Sequence, residues 1–201
     1  MIKQDVPMSY FYTYPGRTPR KVTFEKRSID TMTAVGVTGH QGLTPNTEKL
    51  VADAMDRQLR DVQELVGITS LAEGADQIFA ERVLAAGGQL TVILPAARYA
   101  LTFPQGPARQ HYEDILSRAE RVIHLPFDEP AEEAYWAAGK EVVDRCDLLL
   151  AVWNGKASGG LGGTADVVAY ARKKGRPAIV IWPPNAARLN DGNSLSSPTV
   201  H

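Results

Sequence analysis

Only one cysteine occurs in the 201 residues, so no internal disulfide can form, and Cys146 reads as a small apolar side chain packed in a core. No apolar run approaches the roughly 20 residues that cross a bilayer, and the opening MIKQDVPMSYFYTYPG lacks the apolar stretch of a signal peptide. A cytoplasmic chain with no membrane partner is therefore the expectation. A basic surplus is missing too: 22 Lys and Arg stand against 23 Asp and Glu, a formal net charge of -1. Proteins that coat nucleic acid by charge alone carry such a surplus, so a nucleic-acid partner is not expected. The four histidines show no metal-ligand spacing, so neither a metal nor a cofactor is expected. Repeats and coiled-coil heptads are absent.

What the chain does have is an alternation of short apolar runs with amphipathic stretches. TAVGVT (33–38) is β-rich, and Thr44 then offers a helix cap with Pro45 in the first turn and Glu48 near the positive end. Leu50, Val51, Ala54, Met55, Leu59 and Val62 share one face of that helix. VGITSL (66–71), the helix GADQIFAERVLAAGG and LTVILP (90–95) follow. Then come a helix in ARQHYEDILSRA, the short strand RVIHL, and a helix in PAEEAYWAAGKEVVDRC with Asp128 as its expected cap. DLLLAVW (147–153), a helix after Thr164 and PAIVIW (177–182) complete the series. Strands apolar throughout, each followed by a helix, imply a mainly parallel sheet covered on both faces: an α/β, Rossmann-like three-layer sandwich over residues 32–183. Residues 1–31 break the rhythm and read as a hairpin or arm, with SYFYTY and KVTFEK flanking a turn-like PGRTP. Residues 184–201 read as a small, polar tail.

Ligands of open parallel sheets bind beyond the carboxyl ends of the strands, near the point where strand order reverses. The loop after the first strand, GVTGHQG, carries Gly36, Thr38, Gly39, His40 and Gly42; its G-x-x-G-x-x-G spacing is not the G-x-G-x-x-G of dinucleotide enzymes. His40 is placed to meet a phosphate or ribose, or to be satisfied within its loop. In SLAEGAD, Gly74 opens a helix whose start favours an anion, and Asp76 either holds a ribose hydroxyl or caps the helix. The long third loop contains Arg98, a candidate phosphate clamp, with Tyr99 and Arg109. In KASGGLGGTAD, four glycines, Gly159, Gly160, Gly162 and Gly163, lie within five residues just before Thr164. Such a cluster is entropically costly unless the chain must turn sharply or approach something closely, and its amides suit a phosphate nest. Trp153, at the preceding strand end, is placed to stack on a base or to pack under the loop.

Three blocks, GVTGH, SLAEGADQIFAERVLAAGGQLTVILP and CDLLLAVWNGKASGGLGGTADVVAYARKKGRPAIVIW, together resemble the SLOG superfamily, which takes in the lonely-guy phosphoribohydrolases and the DNA-processing protein A family. The resemblance covers about residues 32–183. It implies a Rossmann-like fold, a nucleotide-type ligand and a homodimer paired through helices. The last block also resembles nucleoside deoxyribosyltransferases. In the lonely-guy pattern, P-G-G-x-G-T-x-x-E, a glutamate three residues after the threonine takes part in cleaving the N-glycosidic bond. Here that position is Val167, and the nearest carboxylate, Asp166, sits about 100° around the helix. The expected function is thus binding of a nucleotide or phosphorylated derivative as a sensor or binding module. The alternatives are an N-glycosidase with Asp166 as its catalytic carboxylate, or a DNA-binding protein of the DNA-processing type.

Overall fold

In the computed structural model, the described residues are the strands Ser9–Tyr12 and Arg20–Thr23 and residues 33–157 and 160–189. The two N-terminal strands, β1 (Ser9–Tyr12) and β2 (Arg20–Thr23), pair antiparallel, and the rest of the expected hairpin or arm over 1–31 lies outside the described residues.

Six further strands build the main sheet: β3 (Thr33–Gly39), β4 (Leu65–Thr69), β5 (Gln89–Leu94), β6 (Arg121–His124), β7 (Leu148–Val152) and β8 (Ala178–Ile181). All pair parallel, in the order β6-β5-β4-β3-β7-β8. The helices between them are α1 (Pro45–Leu59), α2 (Ala75–Ala85), α3 (Pro107–Ser117), α4 (Glu132–Arg145) and α5 (Thr164–Lys173). The chain steps outward from β3 to β6, then crosses back to lay β7 and β8 on the other side of β3. Right-handed crossovers in opposite directions place helices on opposite faces. Accordingly α1, α2 and α3 bury Val51, Met55, Phe79, Val83, Tyr112 and Ile115 in one core. Helices α4 and α5 bury Ala138, Val142, Val143, Val167 and Ala171 in the other. Strand alternation serves both: Leu148, Leu150 and Val152 point into the first core and Leu149 into the second.

Local chemistry sets the element ends. Thr44 caps α1 by accepting the Thr47 amide at 3.3 Å, with Pro45 at the first helical position. Asp128 does not cap α4; the backbone carbonyls of Phe127 and Asp128 instead accept the amides of Ala97 and Arg98 at 2.8 and 3.0 Å, and the cap position is Ala131. The expected tail begins with a segment bonded to the start of α1. The Thr44 amide donates to the Ala187 carbonyl at 3.2 Å, and Ala187 donates to Thr47 Oγ1 at 2.8 Å. Residues 190–201 lie outside the described residues. Among the described residues, no helix is long and apolar enough to cross a membrane.

Candidate functional site

Strand order reverses between β3 and β7, and a cleft of about 460 Å³ opens beside that point. Its floor comes from Val37, Thr38 and Gly39 at the end of β3 and Pro95 just after β5. One wall is the β4–α2 loop with Ser70, Ala72, Glu73 and Asp76; another is a single-turn 3-10 helix (Tyr99–Thr102) with Phe103. The remaining wall joins Glu132, Tyr135, Gly139 and Val142 of α4 to Gly160–Thr164 and Val167 around the start of α5.

Asp76 is the most buried carboxylate here, 6% exposed. Its Oδ2 accepts the Ser70 amide and the Thr69 hydroxyl, each at 3.1 Å. Burial dominates those hydrogen bonds and pushes its pKa up to about 6. The loop folds around it through Leu71, a fully buried residue with φ 57, whose carbonyl accepts from Gln77 and whose amide donates to Thr69 Oγ1. A left-handed leucine costs on the order of 1–2 kcal/mol, which its burial and bonds offset. Across the cleft, Tyr99 is 4% exposed and packs edge-on to Phe103, Tyr112 and Tyr135, with centroids 5.5, 6.1 and 6.2 Å away. Burial first, then the neighbouring Asp76 and Tyr135, hold its hydroxyl far above the usual phenol range, so it stays a donor.

The glycine turn holds a carboxylate of α4 against its amides. Glu132 Oε2 accepts the Leu161 amide at 3.4 Å, and a Cβ on Gly160 would lie 2.6 Å from Glu132 Oε1. Asp166 accepts the Gly162 amide at 3.1 Å and so ties the turn to the first turn of α5. Of Gly160, Gly162 and Gly163, only Gly162 has a positive φ, 81°; a side chain there would also meet the backbone of Trp136 at 2.8 Å.

The structure brings Thr38, Gly39, Asp76, Gly160, Gly162, Gly163 and Thr164 together at the cleft. The other expected residues do other things. Gly36 is a packing glycine, since a Cβ there would lie 2.8 Å from Val142 Cγ1 and 3.0 Å from Cys146. His40 turns away, its ring edge-on to Trp182 at 5.5 Å and its Nε2 accepting the Asn154 amide at 3.2 Å. Gly74, at φ 84, lets the Ala75 amide reach the His40 carbonyl at 3.3 Å. Arg98 pairs with Glu129 at the surface, its side chain 63% exposed. Trp153 donates from its indole to the Lys156 carbonyl at 2.7 Å and is not a cleft residue. Asp166 is spent on the Gly162 amide and does not line the cleft, whereas Val167 does. Gly159 lies outside the described residues.

Sequence reasoning did not single out Glu132 and Tyr135. Their signal was present: Glu132, Tyr135, Gly139 and Val142 recur at helical spacing on one face of α4, and an interior helix glycine marks a close approach.

No protein-family model matches the chain, and no curated protein matches it. Solved structures do. DNA processing protein A from Streptococcus pneumoniae superposes with a TM-score of 0.56 at 20% identity, over 80% of this chain and 53% of that one. The chain thus spans about half the length of that protein. DNA processing protein A from Helicobacter pylori, solved for its single-stranded DNA binding mode, gives 0.55 at 18% identity, over 79% and 70%. The molybdenum cofactor binding protein from Rippkaea orientalis is a looser likeness at 0.49 and 19% identity, over 75% and 77%. The first two show the fold: the Rossmann-like α/β fold that the resemblance to the SLOG superfamily implies.

Proposed function

We propose that this protein is a small-molecule binding module that takes a nucleotide-type ligand in the cleft beside the strand-order reversal. The observation that carries the reading is the convergence there of the β3, β4 and β5 ends with the start of α5, where the partial positive charge of a helix N-terminus faces the cleft. Val167 favours binding over hydrolysis. It faces the cleft at the position where the lonely-guy pattern has its glutamate, and at 2% exposure it is packed rather than poised for chemistry. Thermal-shift screening of nucleosides and nucleoside mono-, di- and cyclic phosphates tests the reading: at least one should stabilise the fold. A flat response across the panel refutes it.

A second reading, an N-glycosidase, has one observation in its favour. Asp76 lines the cleft, and its pKa of about 6 suits proton transfer near neutrality. Chromatography of nucleosides and nucleoside monophosphates incubated with the protein separates the two readings. Release of free base that Asp76→Asn suppresses by roughly a hundredfold would establish the enzyme; none is expected.

A further inference from the structure

The cleft presents three carboxylates, Glu73, Asp76 and Glu132, and among the described residues no Lys, Arg or His lines it. Part of the backbone around the cleft is already engaged by carboxylates. Leu161 donates to Glu132, Gly162 to Asp166 and Ser70 to Asp76. On the other wall Tyr99 lines the cleft, its residue 4% exposed. A phenol hydroxyl at a cleft wall is a donor available to an acceptor atom of a ligand.

From this placement we infer that the cleft takes its nucleotide-type ligand without a phosphate: a free nucleoside. Its hydroxyls donate to the Asp76 and Glu132 carboxylates, and an acceptor atom meets the Tyr99 hydroxyl. The inference rests on the binding reading above and narrows it. Hydroxyl-to-carboxylate bonds are charge-assisted and stronger than neutral ones. A phosphate at the glycine turn would instead meet the like charge of the Glu132 carboxylate at close range, since Oε1 lies 2.6 Å from where a Gly160 Cβ would sit. Glu132 thus acts as a gate against anions, through its seat on the Gly160–Leu161 backbone.

Calorimetric titration of the full chain tests this, with adenosine, guanosine, cytidine and uridine, their 5'-monophosphates, and inorganic phosphate. The nucleoside that binds should do so at least roughly tenfold more tightly than its own monophosphate, the scale of one unfavourable charged contact. Glu132 is exposed, so Glu132→Gln keeps the fold. It should narrow that ratio and let inorganic phosphate bind at least about tenfold better than to the wild type. Tyr99→Phe, which keeps the ring, should weaken the nucleoside by roughly fivefold and leave the phosphate response of Glu132→Gln unchanged. A monophosphate that binds the wild type more tightly than its nucleoside overturns the inference and leaves the binding reading standing. Inorganic phosphate binding equally to wild type and Glu132→Gln also overturns it. Failure of every nucleoside and monophosphate to bind refutes the binding reading itself.

Discussion

The carboxylate of Asp166 accepts the amide of Gly162, four residues earlier, at 3.1 Å, so the residue nearest the position of a family glutamate closes a turn instead of facing the cleft. Asp166→Ala should loosen the turn and cost about 1 kcal/mol of stability, while Asp166→Asn, which keeps an acceptor oxygen, should cost less. Urea denaturation of the two variants distinguishes them, and an equal loss in both would show that charge at the helix start matters more than the bond.

Val167 packs on Gly139 so closely that a Cβ at 139 would lie 2.6 Å from Val167 Cγ2. Gly139→Ala should therefore destabilise the fold by roughly 1–3 kcal/mol, despite the better helix propensity of alanine, because it forces α4 and α5 apart. Val167→Ala in the same chain should recover part of that loss. A double-mutant cycle showing no coupling would place the cost elsewhere.

Asp76 links stability to pH. Its folded pKa of about 6 lies above the 3.8 of an ordinary aspartate, so the folded state binds more protons between those values. Stability from this group is full below about pH 4 and falls as pH rises to about 6, by about 3 kcal/mol over the whole window. In Asp76→Asn that contribution to the slope should vanish. Denaturant midpoints measured at half-unit pH steps would show it as a flatter profile in the variant.

Gly162 combines a φ of 81° with the Trp136 backbone at 2.8 Å from any Cβ. Gly162→Ala is thus strained twice over and should lower stability by about 1–2 kcal/mol. Gly160→Ala meets only the flexible end of Glu132, so its loss should be smaller. Thermal melts of the two variants test the ranking; a larger loss at Gly160 would contradict it.

Much of the architecture was legible from local pattern. Thr44 followed by Pro45 marked the start of α1, and Val51, Met55 and Leu59 recur at the spacing that buries one helix face. Apolar runs such as DLLLAVW, followed by helices, required a parallel sheet covered on both sides, and β7 runs through the middle of that segment. These features depend on neighbours within a few residues, which is the range over which propensity, capping and periodicity act.

The site depended on contacts that no local pattern carries. SLAEGAD and the glycine run both read as open anion cradles, because a strand-to-helix turn leaves amides unpaired. Folding brings Glu132 to Leu161 across 29 residues and turns His40 to the amide of Asn154, 114 residues away. Asp76 shows the same division: its place at a helix start was visible in the sequence, but its raised pKa comes from burial within the assembled cleft. The alternation of strands and helices was written in local pattern, because backbone hydrogen bonding and hydrophobic periodicity act over a few residues. Tertiary structure alone decided which carboxylates meet the turns and which face the ligand, because those choices follow from how α4 and α5 cross the sheet.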